Sequence, residues 1–402
     1  MRVRPGGRGF YDRNDSVNRN VKTLLAVSVL FGAATGGYEF VLPYYLDERG
    51  LSYQSMGTVF AVAAAGMFLL RVTMGRLADI WGRKPFYGLS LGGSAVAMWL
   101  TPLSGSVVGQ TLLKTVREAM LLTRETLHPV ALYEEGHRRF LDFMGKTRAM
   151  EFLFQAGGTL LAGVAISSLG TGGNLLLAGT LMGAGLVTFW ALYRERERGP
   201  EATPTATRLR DLFSWDMHRN LKVITVSFFI FNIGMWTSHS FIMPLFFTEK
   251  FEASRYTVSW VLMLHRLTAV LPLMLIGRLH LRYLKAAYML AWVVEGLILS
   301  ASALISNFHW AAAVWLLHDV VGGGVWLPVQ NMVIQQYTRP DRRALELGKI
   351  HAYGGIGTII GLWLSGVLSE QFGVSAPFFI GGLFITAAGL SLVPLKLDRT
   401  AT

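Results

Sequence analysis

Twelve apolar runs, each about long enough to cross a bilayer, follow one another along this chain of 402 residues. A helix needs about 20 residues to cross the ~30 Å of membrane hydrocarbon, and in lipid it satisfies its own backbone hydrogen bonds. The runs are Val21–Leu46, Met56–Met74, Pro85–Leu100, Val107–Tyr133, Ala149–Leu169, Asn174–Tyr193, Leu221–Phe247, Thr257–Gly277, Ala286–Ser306, Trp310–Gln336, Ile350–Ser369 and Ala376–Leu395. The sequence therefore predicts an all-α polytopic membrane protein, with 12 transmembrane helices in two pseudo-symmetric six-helix bundles.

The composition excludes several other classes of protein. Hydrophobic residues make up 52% of the chain and charged residues 15%, which is too little charge for the surface of a soluble protein of this size. The absence of cysteine excludes disulfides and thiolate chemistry. Because the chain also has no Gly-x-x-x-x-Gly-Lys phosphate loop and no His-Glu-x-x-His motif, we expect neither an enzyme nor an ATP-driven pump, and no cofactor.

The distribution of lysine and arginine predicts the orientation in the membrane. With both termini in the cytoplasm, only Arg49, Lys250 and Arg255 lie on the far side, and most other basic residues lie in cytoplasmic segments, as the positive-inside rule requires. This distribution explains the net charge of +12 without nucleic acid. The expected partners are membrane lipid and a small-molecule or ion substrate, while membrane-protein partners stay open. The predicted location is the bacterial inner membrane, or an intracellular membrane derived from it.

A polar segment divides the chain into two related halves. The predicted organisation is a cytoplasmic tail (1–20), a first bundle (21–193), a cytoplasmic linker (194–219), a second bundle (220–395) and a tail (396–402). At a nearly constant offset, Gly158, Gly163 and Gly170 of the first half match three glycines of the second, which are Gly361, Gly366 and Gly373. Internal duplication is typical of transporters, because alternating access needs two comparable bundles around one site.

A ten-residue motif joins the second and third runs: Gly75-Arg-Leu-Ala-Asp79-Ile-Trp-Gly82-Arg83-Lys84. It resembles the signature loop of the major facilitator superfamily, and the two related halves agree with that resemblance. The resemblance implies a conformational gate, in which Asp79 meets the eleventh helix. We expect Arg83 to pair with Glu125. The gate residues would be Gly75, Asp79, Gly82, Arg83, Lys84 and Glu125.

The fourth run carries a charged stripe. Its polar residues fall within an arc of about 120° on a helix, so the stripe must face the bundle interior or a water-filled cavity. They are Lys114, Arg117, Glu118, Arg124, Glu125 and His128. Glu39 in the first run either takes up and releases a proton or lies at the level of the lipid headgroups. Glu151 in the fifth run either lines the cavity or forms an ion pair with Arg148 at the cytoplasmic end.

The second half contributes further candidates. Asn232 and His239 share a face of the seventh run, and His318 and Asp319 lie in the tenth. Other ionisable residues inside runs are His265, Arg266 and Glu295. The predicted substrate or ion pathway comprises Glu39, Lys114, Arg117, Glu118, Glu151, Asn232, His239, His318 and Asp319. No confident metal site emerges, but imidazole and carboxylate are metal ligands, so His318, Asp319 and Glu39 are candidates.

These features predict a secondary active transporter that moves a small solute by alternating access, with the proton as its coupling ion. The mixed cavity suits an anion, a zwitterion or a cation. A resemblance to iron-linked facilitator proteins of bacterial magnetosome membranes makes iron, or a metal complex, the alternative cargo. The alternative of another class is a membrane scaffold or sensor that no longer transports.

Overall fold

The computed structural model describes residues 11–81, 83–135, 140–195, 214–268, 283–339 and 343–397, and within these ranges the secondary structure is helical. The α-helices are α1 (Tyr11–Glu48), α2 (Tyr53–Trp81), α3 (Arg83–Leu100), α4 (Val107–Glu135), α5 (Phe140–Leu192), α6 (Arg219–Ser238), α7 (Ile242–Phe251), α8 (Arg255–Thr268), α9 (Leu284–Leu304), α10 (Phe308–His318), α11 (Gly324–Tyr337), α12 (Arg343–Phe372) and α13 (Ala376–Ser391). We call the end at which α1 begins the terminal end, and the end at which α1 finishes the distal end.

Among the described residues, five helical segments are long and apolar enough to cross a membrane by length and composition. They are Arg19–Glu48, Phe143–Leu192, Arg219–Ser238, Leu284–Leu304 and Glu346–Phe372. Large apolar side chains such as Leu161, Val187 and Leu290 lie exposed on the outside of the bundle, as lipid contact requires. The all-α fold is thus confirmed, whereas the number of twelve crossings stays a prediction.

Two of the predicted runs contain a break, and a third break separates two runs that share one helix. Gly170, at φ 64°, separates the fifth and sixth runs inside α5. The seventh run is broken after Ser238, where α6 ends and His239 leaves the helical conformation. The tenth run is broken by a π-helical turn, Asp319–Gly323, between α10 and α11. Such breaks inside membrane helices are tolerated where they line a cavity or are buried in protein.

The predicted internal duplication is visible in the helix packing. A Cβ on Gly158 would lie 2.1 Å from the carbonyl oxygen of Ala33, and a Cβ on Gly361 would lie 2.5 Å from that of Ile233. The two glycines therefore allow the same close crossing, of α5 on α1 and of α12 on α6. Gly170 and Gly373 also both have positive φ, as the sequence match suggests.

The two halves meet along α2–α12 and α5–α8. A Cβ on Gly163 would touch the side chain of Ser259, and a Cβ on Gly366 would touch the backbone of Tyr53. Glycine at these two crossings lets helices of opposite halves approach closely.

Polar contacts hold the distal end of the seam together. The Tyr44 hydroxyl lies 2.8 Å from the hydroxyl of Thr248. Tyr53 donates a hydrogen bond to Glu249, and Arg255 pairs with Glu48 at 2.5 Å. The distal end is therefore closed in this conformation.

Candidate functional site

The charged stripe of α4 meets the seam between the halves in a group that we call the central cluster: Glu39, Lys114, Arg117, Glu118 and Arg266. Glu118 accepts hydrogen bonds of 2.8 Å from both Lys114 and Arg117. Lys114 and Glu118 are one helical turn apart on α4, so the helix itself sets this pair. Arg117 is buried, and its guanidinium lies 4.5 Å from the ring centre of Tyr38.

Glu39 connects the two halves. One carboxylate oxygen lies 3.5 Å from Nη2 of Arg117 on α4, and the other accepts a 3.0 Å hydrogen bond from Arg266 on α8. Arg266 also donates a 2.8 Å hydrogen bond to Gln155 on α5. The Glu39 side chain is 38% exposed, so it faces a solvated space rather than a sealed core.

The central cluster has more positive than negative charge. Among the described residues that touch one another there, the cations Lys114, Arg117 and Arg266 face the carboxylates Glu39 and Glu118. Nε and Nη2 of Arg117 donate no hydrogen bond to the described residues. The cluster can therefore accept an additional anionic group.

A second group, the terminal-end cluster, contains Arg124, Glu125, Arg148 and Glu151. Arg124 is fully buried and donates to Glu151 at 3.0 Å and to Ser28 at 3.0 Å. Arg148 donates to Glu125 at 3.0 Å and to Glu151 at 3.2 Å. Two cations thus balance two carboxylates, and Glu151 contacts this cluster rather than the central one.

The prediction that Arg83 pairs with Glu125 is wrong. Arg83 forms an ion pair with Glu134, whereas the carboxylate of Glu125 is held by Arg148 and Arg124. Glu134 lies more than two helical turns further along α4, which brings it to the end where α3 begins.

The signature motif is mostly helical, with α2 running to Trp81 and α3 starting at Arg83. Lys84 donates a 2.7 Å hydrogen bond to the carbonyl of Tyr193 at the end of α5. Gly82 and the side chain of Asp79 lie outside the described part of the structure, and the proposed contact of Asp79 with the eleventh helix stays a prediction. Gly75 belongs to the backbone of α2.

In the second half, three imidazoles and a carboxylate come together in what we call the histidine cluster: His239, His265, His318 and Asp319. Nε2 of His239 lies 2.8 Å from Nε2 of His318. Nε2 of His265 lies 2.8 Å from an oxygen of Asp319. The sequence named His239, His318 and Asp319 as pathway residues, but only the structure shows that they meet and that His265 completes the group.

Asn232 has a different environment from the histidines. Its amide donates to the carbonyl of Phe228 at 2.7 Å, and its oxygen accepts from Trp236 at 3.2 Å and from Thr358 at 3.3 Å. These bonds fix the packing of α6 against α12, with the side chain's polar groups already paired.

The sequence reasoning left two residues out of its set of site residues, Arg266 and His265. Both are ionisable residues inside an apolar run, which is a signal of function in a membrane segment. The pattern of one run does not show which residues of the other half they contact.

Two pseudo-symmetric helical halves that enclose charged side chains define a membrane transporter. A family model described as Major Facilitator Superfamily matches residues 24–237 and 224–402. The chain belongs to the Major Facilitator Superfamily, whose members are transporters rather than enzymes, and the resemblance of the signature motif is confirmed.

Known proteins with similar sequence or structure include the rat protein "MFS-type transporter SLC18B1", 24% identical over 187 residues. That match spans 43% of this chain and 39% of the rat protein. A bacterial homologue of the iron transporter ferroportin, in an inward-facing state, superposes with a TM-score of 0.75 and 13% identity over 94% of this chain and 98% of its own. The nucleoside transporter NupG superposes with a TM-score of 0.72 and 13% identity over 94% and 99%. These structural likenesses show the fold.

Proposed function

We propose that this protein is a secondary active transporter that works by alternating access and couples a small solute with an anionic group to protons. The observation that carries the proposal is the position of Glu39, whose carboxylate is shared between Arg117 of the first half and Arg266 of the second. The same carboxylate therefore pairs with a cation of the proposed substrate site and also bridges the two halves.

The anionic character of the substrate follows from the charge of the central cluster. An unbalanced cation inside a membrane protein is costly unless protein, water or substrate compensates it. Arg117 has two nitrogens without a hydrogen-bond acceptor among the described residues. A guanidinium binds a carboxylate or a phosphate through paired hydrogen bonds, so such a group would complete the cluster.

Proton coupling follows from the same carboxylate. When Glu39 takes up a proton it loses its charge, and its ion pair with Arg266 weakens. The two halves are then held together less tightly at the seam, which favours separation of their distal ends. A solute anion that binds Arg117 competes with Glu39 for the same cation, and this competition links substrate binding to protonation.

Transport into liposomes tests this proposal. The purified protein is reconstituted with a pH-sensitive dye inside, and monocarboxylates, dicarboxylates, organic phosphates, amino acids and organic cations are added one at a time. We expect at least one of the anionic solutes to drive a proton flux across the membrane. Glu39→Gln should abolish this proton flux and still allow solute exchange, because glutamine keeps the shape of the side chain but cannot carry the proton.

Glu370→Gln is the matched control, since Glu370 lies exposed near the end of α12. Its flux should equal that of the unmodified protein. Solute-driven flux that persists unchanged in Glu39→Gln would assign the coupling to another group. If only cationic solutes drive transport, the substrate class is wrong.

We also propose that the protein lies in a bacterial inner membrane with its terminal end in the cytoplasm. The support is the distribution of basic residues, of which only Arg49, Lys250 and Arg255 lie at the distal end outside the predicted spans. Reporter fusions at the termini and after residue 52 should give opposite signals. Equal signals at the two positions would contradict this orientation.

A further inference from the structure

We infer that His239, His265, His318 and Asp319 form a binding site for one divalent first-row transition-metal ion. The inference goes beyond the proposed transport of an anionic solute, because it concerns a second site in the other half and does not depend on the first. The three histidines each offer a ring nitrogen, and these atoms all lie within 4.8 Å of one another.

The site lies where two broken helices meet. His239 is the first non-helical residue after α6, and His318 is the last residue of α10 before the π-helical turn. A π-helical turn frequently marks a functional site, since it costs helix stability. Here the two breaks bring imidazoles from the seventh and tenth runs into contact, while His265 comes from α8.

Backbone and hydroxyl contacts fix the orientation of two rings. Nδ1 of His318 contacts the carbonyl oxygen of Trp315, which can only accept, so the proton of this neutral imidazole resides on Nδ1. Its Nε2 then carries a lone pair that points into the cluster. Nδ1 of His239 lies 2.9 Å from the Ser238 hydroxyl. Metal-binding histidines are oriented in this way, by a partner on the nitrogen that does not bind the ion.

The inner nitrogens of the cluster face one another. Nε2 of His239 and Nε2 of His318 are 2.8 Å apart, so a proton on one nitrogen is shared with the other by a hydrogen bond. A metal ion would replace this proton and bind both nitrogens after they move slightly apart. Nε2 of His265 is buried and lies 2.8 Å from a carboxylate oxygen of Asp319. Three nitrogen positions and one carboxylate are thus directed at one small volume.

The distances suit a metal ion after small side-chain rotations. Zinc binds imidazole nitrogen at about 2.0–2.1 Å, which places tetrahedral ligand atoms about 3.3 Å apart. The present separations of ligand atoms extend from 2.8 Å to 4.8 Å and so bracket this value. The ring of His265 stacks on Trp315 at 4.4 Å between ring centres, and this contact helps to orient the ring.

The ligand set selects the class of ion. Three imidazoles with one carboxylate suit zinc, cobalt, nickel or ferrous iron, whereas calcium and magnesium prefer oxygen ligands. The chain has no cysteine, so thiolates do not contribute. His318 is fully buried and the side chain of His265 is 17% exposed, which gives the site one partly open side.

Metal titration of the purified protein tests the inference. The protein is prepared without a polyhistidine tag, treated with a chelator, and titrated with Co²⁺ while its visible d–d absorption is recorded. We expect saturation at one ion per chain and displacement of Co²⁺ by Zn²⁺. X-ray absorption of the zinc form should give nitrogen and oxygen ligands at about 2.0–2.1 Å with imidazole scattering.

Three variants locate the ion. His265→Gln and Asp319→Asn should each weaken Co²⁺ binding about 10–100-fold or more and change the absorption spectrum. His309→Gln is the matched control, because His309 is exposed at the start of α10, and it should bind Co²⁺ as the unmodified protein does. The inference fails if the unmodified protein, whose folding is not in question, shows no saturable binding of Co²⁺ or Zn²⁺. It also fails if both cluster variants bind Co²⁺ with unchanged affinity and spectrum, which would place the ion elsewhere.

Discussion

Arg266 in the second half donates a 3.0 Å hydrogen bond to Glu39 in the first half. The same guanidinium donates to Gln155, so a single side chain of α8 is tied to both α1 and α5. This is a connection between the halves in the region where the charged stripe of α4 lies. Its strength bears directly on how easily the halves separate.

Removal of this connection should change the conformational equilibrium. A partly exposed ion pair contributes about 0.5–1 kcal/mol, so Arg266→Gln should shift the population toward a more open distal end by about two- to fivefold. Because the chain has no cysteine, Ser52→Cys and Ser254→Cys can carry spin labels for pulsed electron resonance distances. Lys285→Gln is the control, since Lys285 bonds to Val393 within its own half. Equal distance distributions in Arg266→Gln and Lys285→Gln would show that the bridge does not hold the halves.

The two buried arginines of α4 should differ in their effect on stability. If Arg117 is removed, Glu118 still has its ion pair with Lys114, and Glu39 still has its ion pair with Arg266. Each carboxylate therefore remains balanced by one cation. Without Arg124, two carboxylates share Arg148 alone, and one buried negative charge is left uncompensated. Arg124→Ala should therefore destabilise by about 3 kcal/mol, and Arg117→Ala by clearly less.

Thermal unfolding in detergent, monitored by tryptophan fluorescence, measures both variants. Arg117→Ala should remain folded and lose binding of the anionic solute. An Arg117→Ala protein that unfolds at the same temperature as Arg124→Ala would assign Arg117 to structure instead of the substrate site.

Two adjacent glycines of α5 provide a test of the helix crossing. A Cβ on Gly158 would lie 2.1 Å from the carbonyl oxygen of Ala33, whereas a Cβ on Gly157 meets nothing within 4 Å. Gly158→Ala should destabilise by about 1–3 kcal/mol, because α5 must move away from α1. Gly157→Ala should be neutral or slightly stabilising, since alanine favours a helix. Their unfolding temperatures are compared. Equal unfolding temperatures for the two variants would contradict the close crossing of α5 on α1.

Protonation of Glu249 should strengthen the contact between the halves at the distal end, with a sign opposite to that of Glu39 protonation in the central cluster. Burial of its carboxyl group raises the pKa of Glu249 above the ordinary value of 4.5; the Tyr53 hydrogen bond lowers it and the charge of Asp47 raises it further. A raised pKa means that the closed state binds the proton more tightly than the open state. The contribution to closure is therefore fully present below pH 4.5 and is lost as the pH rises through the raised value.

Spin-label distances between positions 52 and 254, recorded between about pH 4 and pH 7, measure this dependence. The closed population of the unmodified protein, compared at each pH with that of Glu249→Gln, should decrease with rising pH. Glu249→Gln isolates this contribution, because glutamine does not titrate. A pH dependence that survives in Glu249→Gln would belong to another group.

The sequence determined the helical class of this protein, its division into halves and the polar face of α4. Each of these features depends on a repeat within one run or on a match between two stretches, and both can be read from residue order alone. The pairing of Lys114 with Glu118 could be predicted for that reason, because residues four apart on a helix are neighbours.

The tertiary structure decided which side chains of different helices meet. Arg266 reaches Glu39, Arg83 pairs with Glu134, and His265 joins His239 and His318. Helical periodicity gives the direction of a side chain about its own axis, but contact also requires the crossing angle and the relative height of two helices. In this chain, close glycine crossings and two broken helices set those quantities, and they belong to the packing of segments far apart in sequence.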